Sequence, residues 1–249
     1  MPIHDWTKVL PGDFHDFHQG WTTELRTRLN RGILPDGYFA QIEQVTGHII
    51  PDVLTLQRGG TETPEDLGVP TGGLLVDVVP PRVSISVELE LRSYDALKNV
   101  VAIHHASSHR LVAMIELVSF GNKSSQRDFS RFVDKSLDAI EMGIHLLIVD
   151  LYPPTSRDPH GIHGAIWSEL GDDTYCTPPG KNLTAVAYVA AQAPRAFVEP
   201  LAVGSRLIPM PLFLSEEVYV EVPLGEAYDA AFLGTASHLQ RELEKTIPR

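Results

Sequence analysis

Two carboxylates sit where an ordinary strand would carry an apolar side chain. Glu116 interrupts the run Leu111-Val-Ala-Met-Ile-Glu-Leu-Val118, and Asp52 lies inside Ile49-Ile-Pro-Asp-Val-Leu54. Burying an ionised carboxylate in a strand covered on both faces costs several kcal/mol unless a cation or a donor meets it. Each of these acids therefore has either a partner or a task. Carboxylates converging on one side of a sheet hold a hard divalent cation and help generate a hydroxide nucleophile, the chemistry of phosphodiester hydrolysis. A lysine beside them would orient or polarise the attacking water, and Lys123 and Lys135 are the candidates downstream of Glu116. The structural alternatives are that Glu116 pairs with an arginine or caps backbone donors in a buried network, that Asp52 begins or ends a strand, and that both lysines are solvated.

Histidines offer a competing centre. His15 with His18, His104 with His105, and His160 with His163 are close pairs, and neutral imidazole is a common transition-metal ligand. None has a zinc-type spacing, and a single cysteine, Cys176, excludes both an internal disulfide and a cysteine-based zinc site. His160 and His163 fall among flexible glycines and are candidates for substrate contact. There is no Gly-x-Gly-x-x-Gly fingerprint, Gly-Lys-Ser/Thr phosphate loop or Gly-x-Ser-x-Gly elbow, which leaves nucleotide and α/β-hydrolase chemistry without an anchor.

The elements around these residues follow from periodicity. After Glu116, Ser119 to Ser125 breaks the strand. Gln126 to Glu141 then has helical spacing, with Phe129, Phe132, Val133, Leu137 and Ile140 inward and Asp128, Arg131, Lys135 and Asp138 on another face. Ile144 to Leu151 is a second apolar strand, so this unit predicts a parallel pair joined by a crossover helix. Upstream, Asp13 is the expected N-cap of a helix whose inner face is Phe14, Phe17, Trp21, Leu25 and Leu29. Tyr38 to Val45, His48 to Leu56 and the alternating Val83 to Arg92 read as strands, with a surface excursion at 58–82. Val100 to His104 and Leu111 to Val118 predict a hairpin around Ala106 to His109. The segment 152–181 reads as a long loop. Beyond it come strands at 182–192, 196–203 and 218–222 and a terminal helix at about 226–245.

Pro51-Asp52, Glu116 at the end of an apolar strand, and a polar loop leading to a lysine-bearing helix together resemble the PD-(D/E)XK nuclease-like superfamily. Ile115-Glu-Leu-Val-Ser-Phe-Gly-Asn-Lys123, His145-Leu-Leu-Ile-Val-Asp-Leu151, Ala187 to Arg195, Met210 to Leu214 and Phe14-His-Asp-Phe-His18 further resemble an uncharacterised bacterial family, the domain-of-unknown-function family numbered four-zero-five-eight. The resemblance implies an α/β fold: a mixed sheet flanked by helices, with a restriction-endonuclease-like core over 14–151 and a β-rich C-terminal extension with its helix over 182–249, in one domain. It also implies a Mg²⁺ or Mn²⁺ site with Asp52 and Glu116 as ligands, completed by the Leu117 carbonyl and water. The chain departs from the motif at Val118, where the superfamily places its lysine. Lys123 or Lys135 would then act as a migrated lysine.

With 20 basic against 32 acidic residues the formal charge is −12, which opposes non-specific binding to a polyanion and weighs against a nucleic-acid substrate. No apolar stretch approaches the ~20 residues of a membrane span and no signal peptide is evident, so a cytoplasmic protein is expected. Three functions stay open: a divalent-metal-dependent nuclease or phosphodiesterase, a catalytically degenerate scaffold of the same fold that binds a protein or small molecule, and a histidine-based transition-metal protein. Oligomeric state is not legible.

Overall fold

The computed structural model describes residues 1–43, 85–88 and 100–248. Its centre is a mixed seven-stranded sheet in the order β1-β3-β4-β5-β6-β7-β2. The strands are β1 (Tyr38–Glu43), β2 (Ile85–Glu88), β3 (Val100–His105), β4 (Leu111–Val118), β5 (His145–Asp150), β6 (Leu183–Val189) and β7 (Arg195–Leu201). β4 and β5 run parallel, joined through α3 (Gln126–Glu141) as the apolar-strand, helix, apolar-strand pattern predicts. Every other neighbouring pair is antiparallel, including the β3–β4 hairpin. Helices cover both faces, so the expected α/β class with a mixed sheet holds.

One face packs on α1 (Pro11–Arg28), α5 (Leu224–Leu233), α6 (Ser237–Glu244) and the two-stranded ribbon β8 (Met210–Phe213) and β9 (Tyr219–Val222). The inner face of α1 is the aromatic stripe read from the sequence, with Phe14, Phe17, Trp21 and Leu25 buried. The Tyr228 hydroxyl accepts N–H groups from Trp6 and His4 beside it. The other face packs on α3 and α4 (Gly161–Glu169) around Phe129, Phe132, Ile166 and Trp167.

Several local expectations are corrected. α1 begins at Pro11, because Pro is favoured in the first turn, and Asp13 sits inside the helix with its carboxylate accepting the Leu10 N–H at 3.1 Å. The stretch 152–181 is not all loop: α4 forms inside it. Its apolar Ile162, Ile166 and Trp167 are spaced for one helical face, a signal masked by flanking Gly, Pro and His. The terminal helix is two helices broken at Gly234-Thr235-Ala236. β6 and β7 join the central sheet edge to edge. Asp52, the 58–82 excursion and the strand expected over His48 to Leu56 lie outside the described residues. Of the strand expected over Val83 to Arg92, 85–88 is described, as β2.

α1 turns into β1 through a wider helical turn, Leu29–Ile33, closed by Gly32 at φ 112°, a conformation that suits glycine. Asn30 then accepts the Ala40 N–H at 2.8 Å and donates to the Ala40 carbonyl at 2.9 Å, satisfying one residue of this edge strand. Asn30→Ala leaves both groups bare and is expected to cost about 1–2 kcal/mol. An unchanged urea midpoint would show that the clasp contributes nothing.

Candidate functional site

Glu116 projects from β4 toward α3, in line with Met114 and Val118, which join the core formed by Phe129, Phe132 and Val133. Its carboxylate meets the Lys135 ammonium, and the two side chains are 4% and 3% exposed. Sequence reasoning placed Lys135 away from the helix's apolar centre, with solvation as one reading. The tertiary fold turns that flank onto Glu116, with the ammonium also 5.4 Å from the Phe132 ring centroid. Asp138, expected on the same polar side, is buried as well. Burial pushes the Glu116 carboxyl up to about 7 against the pull of Lys135, and burial likewise lowers Lys135.

On the opposite face of β4, His18 reaches in from α1 and its Nε2 donates to the Leu117 carbonyl at 3.0 Å. Burial holds this imidazole below its usual pKa. His15, three residues earlier on the helix, is exposed.

Lys123 forms a separate centre. It sits at the end of the short helix α2 (Phe120–Lys123), which follows β4. Its ammonium meets Asp150 at 2.6 Å and Asp158 at 2.7 Å, and donates to the Tyr152 carbonyl at 3.1 Å. All three charged side chains are 4% exposed or less. Asp150 closes β5 beside Val118 in the parallel register. Burial raises its carboxyl, opposed by Lys123. Asp158 also accepts the Thr155 N–H and hydroxyl, which fixes the segment entering α4, and the Arg157 guanidinium donates to the Lys123 carbonyl at 3.0 Å. Sequence reasoning missed both aspartates. Asp150 carried a readable signal, since it ends an apolar run much as Glu116 interrupts one; Asp158, in a polar loop, had none.

The structure thus brings Glu116 and Lys135 together, sends Lys123 elsewhere, and leaves Asp52 outside the described residues. His160 is exposed at the start of α4. His163 is not a loop residue but fully buried in the first turn of that helix, with Nδ1 2.8 Å from the Tyr188 hydroxyl and its ring 4.4 Å from that of Tyr175. Gly164 lets the chain at His160 lie close against the helix, because a Cβ there would lie 2.6 Å from the His160 Cβ. Burial drives the His163 pKa from 6.5 down to about 3. The folded protein therefore keeps this imidazole neutral while the unfolded chain protonates it, so its contribution to stability is whole above pH 6.5 and lost as pH falls toward 3. Its ring proton resonances are expected to stay constant in NMR spectra from about pH 8 to about pH 5. A midpoint near 6.5 would contradict this burial.

Among the described residues, the Glu116 carboxylate meets an ammonium, the Leu117 carbonyl serves His18, and no group of three or more His, Cys, Asp or Glu able to hold a metal occurs. Nor is any helix among them long and apolar enough to cross a membrane. Compared with known proteins, the chain matches no family model, no curated protein and no solved structure.

Proposed function

We propose that this chain is a binding protein built on a restriction-endonuclease-like framework, in which the acid–lysine pair fastens the crossover helix. The observation that carries this reading is the closure of Glu116 by Lys135 inside the protein. A phosphodiester and its metal must reach the catalytic carboxylate, and a pair this deeply covered offers no approach. The framework is supported by α1, then the antiparallel β1, β3 and β4, then α3 and the parallel β5. Binding would use the cleft of about 420 Å³ between α3 and α4, within the usual size of ligand pockets.

Titration with MnCl₂ by calorimetry, alongside a cleavage assay on single- and double-stranded DNA, tests this reading. No saturable heat and no cleavage are expected. A saturable Mn²⁺ site that disappears in Glu116→Gln overturns it.

One observation favours the enzymatic reading instead: a lysine on α3 does reach the strand glutamate, the contact Val118 cannot make. On that reading Asp52 and Glu116 bind Mg²⁺ or Mn²⁺, Lys135 positions water, and Asp52→Asn abolishes both Mn²⁺ binding and cleavage.

A further inference from the structure

The cleft between α3 and α4 carries charges of both signs. β4 and β5 are parallel, so α3 and α4, which follow their C-terminal ends, both start at the same end of the sheet. Arg157 and His160 line the cleft where α4 begins. Glu169, Asp172 and Asp173 line it where α4 ends. Arg157 forms no ion pair with these carboxylates; its guanidinium donates to the Lys123 carbonyl. A guanidinium and a group of carboxylates thus face one cavity without neutralising each other. Tyr175 supplies an aromatic wall.

A second observation comes from behind that wall. The His163 Nδ1 is engaged by Tyr188 on the sheet, and Nε2, on the ring's other side, is buried with no hydrogen-bond partner. The ring stands against Tyr175, and Asp172 is close enough to act on it electrostatically. Buried polar atoms left unsatisfied in a folded protein call for a missing polar molecule or a functional reason. His163 is fully buried and touches Tyr175, which lines the cleft.

We infer that this cleft binds a small zwitterion, with its anionic group at Arg157 and His160 and its ammonium or guanidinium group at Glu169 and Asp172, over the ring of Tyr175. A guanidinium takes a carboxylate in bidentate geometry, and an aromatic face stabilises a cation. The poles lie at opposite ends of α4, which selects a ligand charged at both ends over a simple anion or cation. This inference rests on the binding-protein reading and names the ligand class of its cleft.

The probes are L-arginine and agmatine, which differ by one carboxylate, titrated by calorimetry into the full chain. L-arginine is expected to bind saturably and about tenfold or more tighter than agmatine, the value of one charge-assisted contact. Arg157→Gln should remove that difference, and the double variant Glu169→Gln/Asp172→Asn should weaken both probes, with thermal melts confirming that each variant folds. Absence of saturable arginine binding, equal affinity for the two probes, or indifference to these substitutions overturns the inference. None of these residues belongs to the Glu116 pair. A chain with no arginine site and no Mn²⁺ site loses only the zwitterion, whereas a Glu116-dependent Mn²⁺ site removes the parent reading whatever the probes do.

Discussion

Replacing Lys135 with methionine is expected to destabilise the protein by about 3–5 kcal/mol at neutral pH, a large share of the total stability of a typical domain. Methionine fills most of the space of the lysine stem, so the loss is electrostatic rather than a cavity. It strands the Glu116 carboxylate among Met114, Val118 and the phenylalanines of α3. The carboxyl would answer by binding a proton, and since its pKa is already raised to about 7 in the intact pair, it rises further in the variant. A carboxyl whose folded pKa lies above its unfolded value favours the folded state in acid and penalises it in base. The variant's deficit should therefore shrink as pH falls from about 8 toward about 5. Adding Glu116→Gln should recover much of the loss, because removing both members of a buried pair is commonly near neutral. Urea denaturation of the two single variants and the double variant measures this directly. A cost below about 1 kcal/mol for Lys135→Met would mean that water reaches the pair.

Lys123→Met should have an effect of similar size, about 3–5 kcal/mol, with a different local consequence. It removes the cation that Asp150 and Asp158 share and leaves two like charges together in the interior. It also frees the Tyr152 carbonyl and releases the tie between the end of β5 and the start of α4. Hydrogen exchange should accelerate over 152–160 before it does in the central strands, since this segment would lose its anchor while the sheet stays hydrogen-bonded. The pH dependence has the same sign as for Lys135. Burial already raises Asp150, and without Lys123 its carboxyl moves higher still, so the variant regains stability on acidification. Adding Asp150→Asn should restore part of the stability at neutral pH. Unchanged exchange over 152–160 would contradict the anchoring role.

The helix over 126–141 and the strands on either side of it were readable, because each follows from a local alternation of apolar and polar side chains. The aromatic stripe of α1 was readable for the same reason. α4 was not, because its two glycines and its histidine imitate a loop over a stretch of only 9 residues. Glu116 announced itself as a charge in an apolar run. Its partner did not: Lys135 lies on the flank of an amphipathic helix, and whether a flank meets solvent or the sheet depends on how the helix rolls and where it crosses the strands.

The sequence by itself determined the class of the fold and the presence of a buried acid that needed a cation or a donor, since both depend on composition and spacing along a few neighbouring residues. Only the tertiary structure decided which lysine answered which acid, sending Lys135 to Glu116 and Lys123 to Asp150 and Asp158. The physical reason is range. An ion pair forms where two charges arrive within a few ångströms of each other, and for residues on different elements that distance is set by strand register and helix placement, which no local pattern encodes.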